Sequence, residues 1–287
     1  MMTILPVVYL LFGVILGKTK LNIKTIASKL LTQYVIPLVI IWNITIHFDQ
    51  MAGVILVAIG VMTGMFLFQK KRGKDSVRSL CFCYLNIGWL GLPIAHSLLG
   101  DDAARFMLAA YIGSSIFGNS IGASFLTKEA YSFKKVLITP AVVALLIGGA
   151  LIPVHSYVEE YALPIYQACK FLMSFLGMMI LGIWLSETKL DRTDTLVYVK
   201  SYFSRTFILG LLLAIGASAT YLLGGSGVTV QLPWLFLICL LPPAANIIVL
   251  ETSFLGAGTS AARISFETII SLIFIALYGL TLFSLPS

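Results

Sequence analysis

Hydrophobic residues in this sequence come in blocks of about 15 to 25, the length that a membrane helix needs to cross a hydrocarbon core of roughly 30 Å. Short polar connections separate the blocks. The pattern predicts ten transmembrane helices, which we call segments 1 to 10. They lie near residues 2–17, 28–46, 51–69, 79–98, 104–126, 135–153, 162–185, 201–223, 232–250 and 264–284.

Composition supports an all-α polytopic membrane protein. Of 287 residues, 59% are hydrophobic and only 11% are charged, whereas soluble domains carry roughly 25% charged residues. This excludes a water-soluble globule. The net charge of +7 does not indicate nucleic-acid binding, because the basic residues lie almost wholly in the connections instead of on one folded face. We expect no cofactor.

The cysteines and the first segment have plain explanations. All four cysteines fall in apolar blocks, which indicates small buried side chains instead of disulfides or a metal site. They are Cys81, Cys83, Cys169 and Cys239. Segment 1 lacks both a preceding basic region and a following cleavage site, so we interpret it as a membrane helix and not as a signal peptide.

Basic residues predict the orientation, because cytoplasmic connections are enriched in Lys and Arg. Nearly all of the 19 basic residues lie in or beside connections that follow odd-numbered segments, such as 70–78 and 187–200. This set includes Arg205 and Arg263, at the starts of segments 8 and 10. Connections after even-numbered segments hold Arg105 alone. The alternation predicts that both termini lie outside. We expect the protein to lie in a bacterial inner (plasma) membrane.

Segments 4 and 9 each carry residues that interrupt a helix. Proline removes an amide donor and glycine tolerates unusual backbone angles. Freed backbone groups cannot face lipid, so they line a buried or wet cavity, with amides for anions and carbonyls for cations. A packing kink is the alternative interpretation. The candidate substrate-binding residues in these two stretches are Asn86, Gly88, Gly91, Pro93, Pro242, Pro243 and Asn246.

The ten segments divide around a cytoplasmic connection at 127–134 into two sets of five. The first set spans 1–126 and the second spans 135–287. Because each set has an odd number of segments, a repeat between them is inverted across the membrane. The fourth segment of each set is the interrupted one. Inverted repeats with interrupted helices at matching positions are typical of secondary transporters.

On the stretches 86–93 and 242–246, the sequence resembles the auxin efflux carrier family, which includes plant auxin carriers and bacterial malonate or malate transporters. The resemblance covers nearly the whole chain. It implies a fold similar to that of bile acid sodium symporters, with segments 4 and 9 crossing at a central site. It also implies a scaffold of segments 1, 2, 6 and 7 beside an elevator-type transport domain of segments 3–5 and 8–10. The long cytoplasmic loop of some plant members is absent.

Further polar residues inside the segments are candidates for the translocation path. Lys170 in segment 7 either attracts an anionic substrate or extends to the outer interface. Tyr111, Ser115 and Asn119 are spaced by four residues, so they share one face of segment 5. They line the path or join helices by hydrogen bonds.

Other charged residues and glycine pairs have structural interpretations. Arg263 and Glu267 are four residues apart, which predicts an ion pair on one helix face. For Glu251 we favour a cytoplasmic surface charge over a proton-coupling carboxylate. Glycines four residues apart predict close helix packing at two places, Gly13 with Gly17 and Gly60 with Gly64.

The leading hypothesis is an alternating-access carrier for a small organic anion, such as a mono- or dicarboxylate. A sodium-coupled symporter is the alternative, but it needs an oxygen-rich cation site, and few carboxylates lie inside the segments. A receptor or channel stays open from another class. An enzyme is not expected, because His47, His96 and His155 are isolated from any catalytic pattern. The substrate, a proton or sodium as coupling ion, and a homodimeric state stay open.

Overall fold

The computed structural model describes residues 5–19, 23–126, 137–187, 195–222, 228–255 and 260–284. Within these ranges the regular elements are all helices, and the only extended pairing is one isolated bridge. Four helical stretches are long and apolar enough to cross a membrane, and shorter apolar helices accompany them. The four are Ile23–Lys71, Pro140–Ser186, Thr195–Ser218 and Ser260–Leu282. The chain is therefore an all-α integral membrane protein.

The described residues form twelve α-helices. They are α1 Leu5–Leu16, α2 Ile23–Leu30, α3 Ile36–Lys71, α4 Ser76–Cys83, α5 Leu92–Leu99, α6 Asp101–Phe117, α7 Pro140–Leu151, α8 His155–Glu187, α9 Thr195–Leu222, α10 Val228–Leu240, α11 Asn246–Leu255 and α12 Ser260–Ser284. Shorter helical turns join some of them. These are π-helical turns at Leu31–Val35, Ile87–Gly91 and Gly118–Gly122, and a 3-10 turn at Ile152–Val154.

Two predicted polar connections are largely helical in the structure. Segments 2 and 3 meet inside α3 at a kink, where His47 has non-helical angles, φ −127° and ψ 24°. The kink falls where the sequence predicts the boundary between these two segments. Segments 6 and 7 are joined by the 3-10 turn Ile152–Val154, where Pro153 lacks an amide donor. The acidic residues expected in these connections therefore lie in helices.

Segments 4 and 9 are each divided into two helices. Segment 4 consists of α4 and α5, with non-helical residues at 84–86 and the π-helical turn Ile87–Gly91 between them. Pro93 lies in the first turn of α5, where backbone amides have no intrahelical acceptor and proline is tolerated. The interruption therefore precedes Pro93. Segment 9 consists of α10 and α11, with non-helical residues at 241–245 that include both prolines.

Contacts divide the chain into two compact units. Unit 1 comprises Met1–Thr63 and Ile87–Glu187, and unit 2 comprises Gly64–Asn86 and Thr188–Ser287. Each unit draws on both halves of the chain. The predicted inverted repeats concern symmetry, not compactness, so they stay a prediction. The predicted connection at 127–134 lies outside the described residues.

Unit 1 is built around a close approach of α1 to α8. A Cβ added at Gly13 would lie 2.1 Å from the backbone oxygen of Met179, and one at Gly182 would lie 2.1 Å from that of Leu10. Only glycine permits backbones this close, so the close packing predicted at Gly13 and Gly17 is confirmed.

The second glycine pair behaves differently. A Cβ added at Gly60 or at Gly64 meets no described atom within 4 Å. The close packing predicted there is therefore wrong in the part of the chain that the structure describes. Sequence spacing places both glycines on one helix face, but it does not say whether a neighbour covers that face.

Candidate functional site

The two interruptions pair with each other inside unit 2. The Asn86 amide donates to the Pro242 carbonyl at 2.8 Å, and the Ala244 amide donates to the Tyr84 carbonyl at 2.8 Å. These bonds form an isolated antiparallel bridge between Leu85 and Pro243. Pro242 and Pro243 cannot supply helical amide donors, so the second break is not helical, and each break satisfies backbone groups of the other.

Polar side chains surround this bridge. Asn86 is buried, with 4% of its surface exposed. Asn246 is the first residue of α11, and its Nδ2 donates to the hydroxyl of buried Tyr84 at 3.3 Å. Unit 2 thus contains four predicted site residues, at 86, 242, 243 and 246. Tyr84 was missed by the sequence reasoning, because a tyrosine in an apolar block has no distinguishing signal.

The carboxyl-terminal ends of two half-helices, α4 and α10, meet one arginine. Nη1 of Arg205 donates to the Cys81 carbonyl at 3.3 Å, and Nη2 donates to the Leu241 carbonyl at 3.1 Å. The last carbonyls of a helix have no intrahelical donor and carry a partial negative charge. A guanidinium satisfies both requirements. Glu267 of α12 pairs with Nη1 of this arginine, and neither side chain is exposed.

Hydroxyl groups bind two further carbonyls at the end of α10. The Tyr202 hydroxyl and the Ser271 hydroxyl donate to the Leu240 carbonyl at 3.0 and 2.6 Å. The Thr206 hydroxyl donates to the Cys239 carbonyl at 3.0 Å. Helices α9 and α12 therefore hold the broken end of α10 by side chains.

The predicted pair of Arg263 with Glu267 is wrong. Glu267 pairs with Arg205, which is 62 residues away in the sequence. The Arg263 guanidinium lies over the ring of Tyr198, 5.4 Å from its centroid. Inside the unit, the Arg205 guanidinium has three acceptors, the carbonyls of Cys81 and Leu241 and the carboxylate of Glu267. These bonds explain why Arg205 is buried.

The sequence pattern places Arg205 beside a cytoplasmic connection, at the start of segment 8. In the structure it lies well inside α9, and its side chain is 0% exposed. A signal for the pair was present in the sequence. Arg205 and Glu267 are opposite charges inside two apolar segments, and such charges are expected to pair. The four-residue spacing between Arg263 and Glu267 favoured the nearer arginine as the predicted partner.

Glu251 is not a surface charge. Its residue is 2% exposed, and its carboxylate accepts from the Ser260 amide at 3.0 Å and from the Ser260 hydroxyl at 2.5 Å. Ser260 begins α12, and a carboxylate at a helix N-terminus satisfies a free amide and the positive end of the dipole. The structure thus gives Glu251 a capping role within unit 2.

Other candidates lie in unit 1. A Cβ added at Gly88 would lie 2.6 Å from Cε2 of Tyr111, so the tyrosine ring lies directly against this glycine. Asn119 donates from Nδ2 to the Ser115 carbonyl at 2.8 Å and to its hydroxyl at 3.3 Å. Ser115 is buried, and both bonds stay within segment 5. Gly91 and Pro93 are buried at the start of α5.

Lys170 makes an ion pair in unit 1. Its Nζ donates to Oδ1 of Asp101 at 2.8 Å, and Nε2 of His96 lies 3.0 Å from the same oxygen. The hydrogen bond from the Lys170 ammonium lowers the pKa of the Asp101 carboxyl from its usual value. The Lys170 side chain is only 13% exposed. Its charge is therefore compensated here, and its role towards an anion stays a prediction.

No set of three or more His, Cys, Asp and Glu residues is grouped to hold a metal ion within the described ranges. The four cysteines are free and buried, as their apolar surroundings predicted. The similarity to auxin efflux carriers rests on the stretches 86–93 and 242–246 and stays a prediction. No protein-family model matches the chain, and no curated protein matches it.

Proposed function

We propose that this chain is a secondary transporter that moves a small organic anion, a mono- or dicarboxylate, by alternating access. The pairing of two interrupted helices through the Leu85–Pro243 bridge carries this proposal. Irregular backbone at membrane depth is costly unless it lines a cavity, and transporters use such breaks to build substrate sites. Here two breaks, from distant parts of the sequence, are stabilised by each other.

The groups around the bridge favour an anion. Asn86 and Asn246 carry neutral amides, which donate to a carboxylate without holding it by a permanent charge. Asn246 also begins α11, where the helix dipole is positive and favours negative charge. The carbonyl ends of α4 and α10 are bound instead to Arg205. The amide donors are therefore the groups that we assign to the substrate.

The proposal includes the finer architecture. Ten spans form two inverted repeats, with scaffold segments 1, 2, 6 and 7 and transport segments 3–5 and 8–10 that cross at segments 4 and 9. Both termini lie outside a bacterial inner membrane. The distribution of basic residues supports this orientation even without Arg205, because the connection at 70–78 alone holds five Lys and Arg residues.

Replacing either asparagine should impair substrate binding and transport together. We expect Asn86→Ala and Asn246→Ala each to weaken affinity and initial uptake by about ten- to a hundredfold, since a lost hydrogen bond to a charged group costs roughly 1.5–3 kcal/mol. The measurement is uptake of labelled mono- and dicarboxylates into proteoliposomes, with and without sodium and proton gradients. Saturable uptake separates a carrier from a receptor or a channel.

Asn43→Ala is a matched control for these variants. Asn43 is equally buried, but its Nδ2 donates to the Val39 carbonyl of its own helix at 2.9 Å. This variant should keep normal affinity once it is folded. Near-normal affinity in both site variants would move the substrate site elsewhere, first to the polar face of α6 that holds Tyr111 and Ser115.

Orientation is tested at Lys74, an exposed residue between α3 and α4. We expect Lys74→Cys to react with a membrane-impermeant thiol reagent only after the cells are opened, since basic connections face the cytoplasm. The native cysteines are buried, which gives a low background. Reaction in intact cells would contradict the proposed topology.

A further inference from the structure

The ends of α4 and α10 present oxygen atoms of the kind that bind small cations. The Cys81 and Leu241 carbonyls and Oε2 of Glu267 all accept from the guanidinium of Arg205. Carbonyls at half-helix C-termini and nearby carboxylates are the groups with which transporters coordinate sodium. In this chain the same oxygens converge on a side chain.

We propose that Arg205 is a resident cation, filling a position that would bind a sodium ion if the guanidinium were removed. The position is fully buried, with both Arg205 and Glu267 0% exposed. Three acceptors, one of them charged, hold the guanidinium in place. A tethered cation satisfies the negative ends of both half-helices permanently.

The buried guanidinium affects which ion can couple transport. This consequence rests on the proposed transport function. A sodium ion that couples transport must bind and leave in each cycle. Arg205 cannot leave, so sodium does not couple at these half-helix ends. Arg205 is thus a specificity-determining residue for the coupling ion.

The carboxylate has capacity for another ligand. Oε1 of Glu267 has no hydrogen-bond partner among the described residues, although it is buried. If the guanidinium is removed, this carboxylate and the two carbonyls remain beside a space that a small cation and water can fill. A buried carboxylate without its partner strongly favours a replacement cation.

The test is cation-dependent thermal stability of the purified protein. We compare wild type, Arg205→Ala and Arg205→Ser in sodium chloride and in choline chloride at equal ionic strength. Sodium should raise the melting temperature of both variants relative to choline by about 3 °C or more, as expected for a ligand at roughly ten times its Kd. Wild type should show no difference, because its site is filled.

Two further variants identify the site. Arg205→Ala combined with Glu267→Ala removes the carboxylate and should lose the sodium-specific rise. Arg263→Ala removes an arginine that lies over the Tyr198 ring, away from these carbonyls, and should behave as wild type does. A stabilisation that is equal in sodium and choline would reflect ionic strength and would overturn the proposal.

Each outcome decides the matter. Folded Arg205→Ala or Arg205→Ser protein without a sodium-specific rise contradicts the proposal, as does a sodium-specific rise in wild type. The melting assay needs no substrate, so its failure is distinct from a failure of the anion-uptake assay.

Discussion

Arg205→Met is expected to lower the free energy of unfolding by about 3–5 kcal/mol, the largest loss predicted for a single substitution in this chain. The variant leaves the carboxylate of Glu267 buried without its partner, since both side chains are 0% exposed. It also removes the donors to the Cys81 and Leu241 carbonyls. Equilibrium unfolding of the purified protein in mixed detergent micelles measures the loss.

The double variant Arg205→Met with Glu267→Met separates charge from capping. Removing both charges is expected to restore part of the stability, because no ion is then left buried alone. The two uncapped carbonyls should keep a deficit of roughly 1 kcal/mol each. Arg263→Met is the control. It removes the cation–π contact with Tyr198 and should lower the free energy of unfolding by less than about 1 kcal/mol. A loss in Arg205→Met no greater than in this control would refute a stabilising role for the buried pair.

Gly13→Ala is expected to destabilise unit 1 by roughly 3 kcal/mol, the upper end for overpacking by one methyl group. The new Cβ would lie 2.1 Å from the Met179 backbone oxygen, so α1 and α8 must separate. A flexible side chain could move aside, but a backbone carbonyl in a helix cannot. Gly182→Ala should have a similar effect from the other helix, because its Cβ would lie 2.1 Å from the Leu10 oxygen.

Gly60→Ala provides a control of opposite sign. No described atom lies within 4 Å of the added Cβ, and alanine favours a helix over glycine by about 0.5–1 kcal/mol. The variant should be as stable as wild type or slightly more so. The measurement is the same unfolding assay for all three variants. Equal losses at Gly13 and Gly60 would mean that helix separation does not decide the effect.

The two interrupted helices stabilise each other without a bound substrate. Two backbone hydrogen bonds join residues 84–86 to residues 242–244, and Arg205 contacts the half-helix ends beside them. The breaks are therefore held in place by bonds that do not require a substrate. Such preorganisation would lower the ordering cost of the anion binding that we propose at the adjacent amides.

Several features of this protein follow from the sequence alone. Apolar blocks of membrane length predict helices because only a helix satisfies its own backbone in lipid. The prolines at 242 and 243 predict an interrupted helix because they lack amide donors. All of these depend on neighbouring residues, which the sequence contains directly.

Other features are decided by tertiary structure. Polar residues near Glu159 predict a connection, yet α8 runs through this place because no local residue ends it. Glu267 has a partner within one helical turn, Arg263, but pairs with Arg205 from another helix. Which face of an apolar membrane helix meets a neighbour depends on its rotation and on the packing of other helices. Segments that are apolar on all sides carry little information about that rotation, so only the folded structure identifies the buried pair and the contact between Tyr84 and Asn246.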